Sequence, residues 1–182
     1  MKVDVSYTPI DGLLIIKPQV VGDERGYFFE NFQLEEWTKN NLPVSFKQEN
    51  RSSSKMNTLR GLHFQKPPFA QGKLVSVLRG KALDVAVDIR KDSKTYGQHF
   101  SILLQENDFT QFYVPPGFAH GFVCLAEDTV FSYKCTELYN PAAEDGLMWD
   151  DAALAIEWGI TTPILSDKDK FYKPFNEFIT PF

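Results

Sequence analysis

Among 182 residues the chain holds only three histidines, His63, His99 and His120. Two kinds of chemistry are open to them. Imidazole ligates metals, and its neutral form is a general base near neutral pH, since its reference pKa is about 6.5. A zinc or iron site asks for three or four N, S or O ligands held by outer partners. His63 and His120 without a clear carboxylate fall short of that, which leaves acid–base work as the stronger expectation. His63 lies in Arg60-Gly61-Leu62-His63-Phe64-Gln65, and Lys73 follows in Gln71-Gly72-Lys73, just before the apolar run Leu74–Leu78. Arg25 and Glu30 flank a second dense segment, Asp23–Glu30. Arginine grips phosphate with a planar fork and lysine offers a compact positive charge. A base, cations and anion-binding groups are thus available for proton transfer on an anionic substrate.

Strands must position them. In Ala82–Arg90, Leu83, Val85, Val87 and Ile89 share one face while Ala82, Asp84, Ala86 and Asp88 share the other. Phe112–Val114, Gly121–Leu125 and Thr129–Thr136 read as further strands, rich in Val, Phe and Tyr. Turn signals at Arg79-Gly80, Pro115-Pro116-Gly117 and Asn140-Pro141 punctuate them. Helical signals are short: Gln33–Asn40 carries Leu34 and Trp37, and Ser166 is placed to cap a turn at Asp167–Lys170. The expectation is an all-β sandwich or barrel, most simply a closed or nearly closed jelly roll with a few short helices.

Size and charge bound the rest. A chain of 182 residues suits one domain, residues 1–182, with a core that needs no staples. The balance of 19 Lys+Arg against 24 Asp+Glu, a net −5, argues against nucleic acid or an anionic membrane as the main partner. The apolar run Leu13–Ile16 is too short for a signal peptide, and nothing approaches the roughly 20 residues of a membrane span. Cys124 and Cys135 are too few for a disulfide framework and read as reduced core thiols, which makes a cytoplasmic protein the expectation.

Longer patterns add a resemblance. Pro115–His120 reads P-x-G-x-x-H and resembles the second motif of cupins; the counterpart of their first motif, His63-Phe64-Gln65, has Gln where a second His is usual. D-x-R-G-x-F-x-E at Asp23–Glu30, Q-E-N-x-S at Gln48–Ser52, L-R-G-L-H-x-Q at Leu59–Gln65 and Q-G-K-L at Gln71–Leu74 come in order. D-V-A-V-D-I-R at Asp84–Arg90, P-x-G-F-A-H-G-F at Pro115–Phe122, Y-K-x-T-x-x-Y at Tyr133–Tyr139 and L-S-x-K-D at Leu165–Asp169 complete the series. Together they resemble the dTDP-4-dehydrorhamnose 3,5-epimerase family, from about residue 10 to residue 170.

The resemblance implies a cupin-type jelly roll (a double-stranded β-helix) and inversion of carbons 3 and 5 of dTDP-4-dehydro-6-deoxy-D-glucose, with neither metal nor other cofactor. It implies His63 as base, Asp169 as its orienting carboxylate, Tyr133 as acid and Lys73 as the cation at the enolate oxygen. Asp167 is the alternative to Asp169. Substrate binding falls to Arg25, Glu30, Gln48, Glu49, Asn50, Arg60, His120, Glu144 and Lys168, while Asp84 and Asp88 become scaffold. A homodimer whose active sites draw on both chains is also implied. Strict alternation sets Arg60 and His63 on opposite strand faces, so a shared pocket requires a local twist, for which Gly61 is suited. Departures from the family pattern at Lys94, His99 and Asp150-Asp151-Ala152 spare the acid–base set. Two other readings stand beside this one: a relative inverting only carbon 3 or only carbon 5, and a non-catalytic nucleotide-sugar-binding cupin. A DNA reader is disfavoured by the lack of a helix-turn-helix.

Overall fold

Each long strand carries two side-chain sets of different character, and that decides the layers. The computed structural model describes residues 1–182. Its elements are β1 (Val3–Tyr7), β2 (Leu14–Pro18), β3 (Val21–Asp23), β4 (Gly26–Phe28), α1 (Leu34–Lys39), β5 (Gln48–Ser54) and β6 (Leu59–Gln65). Then come β7 (Lys73–Arg79), β8 (Lys81–Asp88), β9 (His99–Gln105), β10 (Gln111–Val114), β11 (Phe118–Cys124), β12 (Thr129–Cys135) and β13 (Glu144–Gly146). Two short 3₁₀ turns, Lys168–Lys170 and Phe175–Glu177, follow.

The strands form a six-stranded sheet, β1-β2-β10-β7-β12-β5, and a five-stranded sheet, β13-β6-β11-β8-β9, antiparallel throughout. Val75, Val77, Phe112 and Phe131 of the first pack against Ala82, Ala86, Phe118 and Phe122 of the second. The opposite face of the second sheet carries Leu59, Leu62, Val85, Val87 and Val123, covered by Leu147, Leu154 and Trp158 from the C-terminal chain. On the outside of the first, Ile16 and Leu74 pack with Trp37 of α1 and with Leu42. Strand β8 is therefore buried on both sides, Val85 and Val87 on one and Ala82 and Ala86 on the other, with Asp84 and Asp88 as its buried carboxylates. The all-β jelly roll expected from the sequence is the fold observed. No helix is long and apolar enough to cross a membrane.

Boundaries differ from expectation in physically clear ways. The strand read from Gly121 begins at Phe118, because Gly117, at φ +93°, completes the proline turn and extended chain follows at once. The strand read to Arg90 ends at Asp88, whose carboxylate takes the Arg90 N–H at 3.0 Å and turns the chain. The helix is one residue shorter at each end, with the Gln33 side chain accepting the Glu36 N–H at its start.

Candidate active site

The site lies between the sheets, where side chains change from apolar to polar, in a cavity of about 390 Å³. Its layout depends on one irregularity. On β6 and β11, His63 stands opposite His120 and Arg60 opposite Phe122, so three steps on β6 match two on β11. The extra residue is a bulge, which returns Arg60 to the face of His63. Gly61 permits it: its φ is +144°, and a Cβ there would sit 2.5 Å from the Gly121 Cα. A Cβ on Gly121 would in turn meet the Arg60 carbonyl oxygen at 2.8 Å. Arg60 and His63 both line the cavity, and Leu59 turns to the core on the other side of the sheet. The Arg60 guanidinium donates to the Ser54 hydroxyl at 3.1 Å.

His63 Nε2 is hydrogen-bonded to Asp169 Oδ1, which leaves Nδ1 as the unpartnered ring nitrogen. Asp169 is 2% exposed, and its other oxygen accepts from the Ser166 hydroxyl at 2.7 Å. Asp167 points to solvent and pairs with Lys170 at 2.9 Å. Of the two candidate carboxylates, Asp169 alone reaches the imidazole. Burial holds the His63 pKa below its ordinary value, with Lys73 and Lys168 acting the same way, against the pull of Asp169. Burial acts to raise Asp169, but the His63 hydrogen bond, the imidazolium charge and Ser166 outweigh it, and its pKa is lowered.

Across the cavity stand Tyr133 of β12 and Lys73 of β7. Burial, reinforced by nearby Cys135, raises the Tyr133 phenol, which stays protonated at neutral pH. Burial lowers Lys73, against the attraction of Cys135, Asp84 and Glu144. Thus an imidazole whose neutral form burial favours, a protonated phenol and the Lys73 amine share one pocket.

His120 forms a second carboxylate–imidazole pair. Its Nε2 lies 2.9 Å from both oxygens of Asp84, and the two residues are 5% and 0% exposed. Asp84 is therefore more than the plain scaffold expected, since it holds a pocket-lining ring. Asp88 is structural as read, bound to Arg90 at 2.7 Å and to Ser93 and Thr95 at 2.6 Å each. No three His, Cys, Asp or Glu side chains converge as metal ligands would.

The binding residues divide. Gln48 and Asn50 line the cavity from β5, whereas Glu49 alternates to the other face, 3.7 Å from Arg51. The assignment of Glu49 to this pocket is corrected by that two-residue period. Glu144 accepts from Lys168 at 2.7 Å and from the Tyr139 hydroxyl at 3.0 Å, and all three line the cavity. Arg25 and Glu30 do not: Arg25 pairs with Asp23 on the exposed β3–β4 hairpin, and Glu30 meets the N-terminal amine. Neither reaches the cavity of its own chain, since strand geometry leaves that hairpin outside both main sheets.

Sequence reasoning missed several lining groups. The Ser52 hydroxyl is buried and without a hydrogen-bond partner, facing the pocket from the Q-E-N-x-S segment. Gln65, where cupins usually carry a second histidine, braces the rim, donating to the Phe69 and Leu138 carbonyls at 2.7 and 3.2 Å and accepting from the Asn140 N–H at 2.8 Å. Phe122 and Phe131 stack at 3.8 Å and 8° to form an apolar floor. For Phe122 and Phe131 the signal was present, since each lies two residues from a candidate, His120 and Tyr133.

Known proteins share this arrangement of chain. A family model described as dTDP-4-dehydrorhamnose 3,5-epimerase matches residues 7–177. The protein of that name from Methanothermobacter thermautotrophicus is 46% identical over 173 residues, 93% of each chain. A crystal structure of the Elizabethkingia anophelis protein of that name superposes with a TM-score of 0.92 at 43% identity, covering 97% of this chain and 98% of the other. The Legionella pneumophila dTDP-6-deoxy-D-glucose-3,5-epimerase, solved in complex with dTDP-4-keto-L-rhamnose, gives 0.91 at 43% identity, covering 97% and 95%.

Proposed function

Because the chain belongs to the dTDP-4-dehydrorhamnose 3,5-epimerase family, we propose that it converts dTDP-4-dehydro-6-deoxy-D-glucose into dTDP-4-dehydro-L-rhamnose. The observation that carries this reading is the convergence of the His63–Asp169 pair, Tyr133 and Lys73 in one cavity.

The chemistry follows from the ketone at carbon 4. A hydrogen on carbon 3 or 5 is acidic because the electron pair left behind delocalises onto the ketone oxygen. His63 takes that proton through its free ring nitrogen, and Asp169 stabilises the imidazolium formed. The Lys73 ammonium stabilises the enolate oxygen, a contribution of about 3–4 kcal/mol for a well-placed donor. Tyr133 returns a proton to the opposite face of the same carbon, inverting it, and the enolate electrons collapse back to the ketone. Each inversion consumes one proton and supplies one, so His63 and Tyr133 are reset by proton exchange with solvent before the second.

Recognition divides along charge. Arg60 and Lys168 hold the diphosphate, with Lys168 leaving Glu144 to do so. Gln48 and Asn50 bind the nucleotide portion, and the orphaned Ser52 hydroxyl, together with His120 and Glu144, binds sugar oxygens. Arg25 and Glu30 complete the site from the second chain of a homodimer.

Proton NMR of dTDP-4-dehydro-6-deoxy-D-glucose in deuterated water tests the proposal. The expected result is loss of the signals at carbons 3 and 5 with wild-type protein and retention of both with His63→Ala. Exchange at one carbon alone means a single epimerase. Binding without exchange means a nucleotide-sugar-binding cupin.

A further inference from the structure

Tyr172 lies beyond the last sequence motif and outside the lining of the cavity, yet its ring packs edge-on against the His63 imidazole, centroids 5.7 Å apart at 64°. Three features hold it there. Gly146 of β13 is the strand partner of His63, and a Cβ on Gly146 would approach the Tyr172 ring to 2.7 Å. The missing side chain is thus the space the aromatic ring fills. One residue further along each segment, Leu147 and Lys173 form a parallel β-bridge, with the Met148 N–H donating to the Lys173 carbonyl at 3.0 Å. Asp169, three residues before Tyr172, is itself fixed by Ser166 and His63. The phenol has no hydrogen-bond partner in the chain, and burial with the charges of Glu144, Asp169 and Asp145 keeps it protonated.

We propose that Tyr172 is a positioning residue for the base: its ring fixes the plane of the imidazole and keeps water from the outer side of the His63–Asp169 pair. This rests on the epimerase reading above, in which His63 is the base. The role belongs to the ring, since the hydroxyl makes no bond that would orient His63. Removing the ring admits water beside the imidazole, which favours its charged form. The other groups that set the charge of His63 are Asp169 and Lys168 from the 3₁₀ turn, Lys73 from β7 and Glu144 from β13. All of them remain in a Tyr172 variant. Burial is the largest influence lowering the His63 pKa, so the side chain that completes the burial governs where the base loses function as pH falls.

The experiment compares wild type, Tyr172→Ala, Tyr172→Leu and Tyr172→Phe in two readouts. One is the imidazole titration of His63 by NMR of ¹⁵N-histidine-labelled protein without substrate; the other is the pH profile of kcat/KM for carbon-bound hydrogen exchange. Expected is an upward shift of about one pH unit in both for Tyr172→Ala. The rate of that variant then falls about tenfold more at the acidic end than above neutrality. Tyr172→Phe should restore the wild-type midpoint. The proposal is overturned if Tyr172→Ala, or Tyr172→Leu should the alanine variant not fold, titrates as wild type does while losing only rate. It is overturned equally if Tyr172→Phe shifts as far as Tyr172→Ala. The substrate-free titration keeps the two readings separable: a wild-type protein that exchanges no hydrogen sinks the epimerase reading, while the His63 midpoint still reports on Tyr172.

Discussion

His63 on β6 differs from an ordinary strand histidine in having one nitrogen committed and the other free. Asp169 holds Nε2, and burial favours the neutral ring against that carboxylate. The sign of the pH dependence follows. A base at His63 works only when neutral, so the acid limb of kcat/KM falls as pH drops through a His63 pKa held below its ordinary value, while the alkaline limb follows loss of the Tyr133 and Lys73 protons. Asp169→Asn removes the carboxylate that favours the imidazolium, so the acid limb should move further down in pH while the plateau falls by about 10²–10⁴-fold. Exchange rates across the acid range check this; an upward shift of the limb, or an unchanged plateau, would refute the assignment. Single residues were legible unevenly. The motif series singled out Asp169 over Asp167, and the geometry agrees, because only one of two alternating side chains in a tight turn can face inward. The same alternation removes Glu49 from the pocket, a step the motif series could not supply because it treats Gln48-Glu49-Asn50 as a block. The resemblance assigns Asp84 to the scaffold; the β8–β11 register brings its carboxylate to the His120 imidazole.

Elements were legible where packing and local pattern agree. The alternation in Ala82–Arg90 announced β8 as a strand, and the Leu34–Trp37 spacing announced α1. Strand β5, Gln-Glu-Asn-Arg-Ser-Ser-Ser, has almost no intrinsic β preference, and only its pairing with β12 makes it a strand. Its polarity suits its place, since one of its faces borders the cavity. The bulge in β6 was foreseen as a twist at Gly61, but its form depends on Gly121, sixty positions away and backbone to backbone with it. Gly61→Ala should therefore act twice. A Cβ at φ +144° against the Gly121 backbone should cost about 2–3 kcal/mol in denaturant unfolding. Any folded fraction should also bind nucleotide sugar more weakly, because removing the extra residue's conformation turns Arg60 out of the pocket. A variant with wild-type stability and affinity would show that the bulge does not position Arg60.

At the scale of the whole molecule, one chain makes most of the site but leaves two expected binding residues outside it. The β3–β4 hairpin is exposed along its length, with Val21, Tyr27 and Phe28 49%, 59% and 62% exposed and Tyr27 packed on Phe109. Apolar and aromatic groups gathered on a protruding hairpin are what a subunit contact uses. Composition carries no such information, because 16 phenylalanines are compatible with a large core or with an interface. If Arg25 enters the cavity of the second chain, two inactive variants must repair each other. Arg25→Ala and His63→Ala homodimers, unfolded together and refolded as an equal mixture, should form heterodimers in which one site has both residues intact. Random pairing makes half the dimers mixed, and each mixed dimer has one good site in two, so activity should return to about a quarter of wild type. Were Arg25 to act within its own chain, every site in the mixture would lack one residue or the other, and exchange would stay at the level of the separate variants. Recovery near one quarter requires both a dimer and a site assembled from two chains, because neither alone rebuilds a complete set of groups around one substrate.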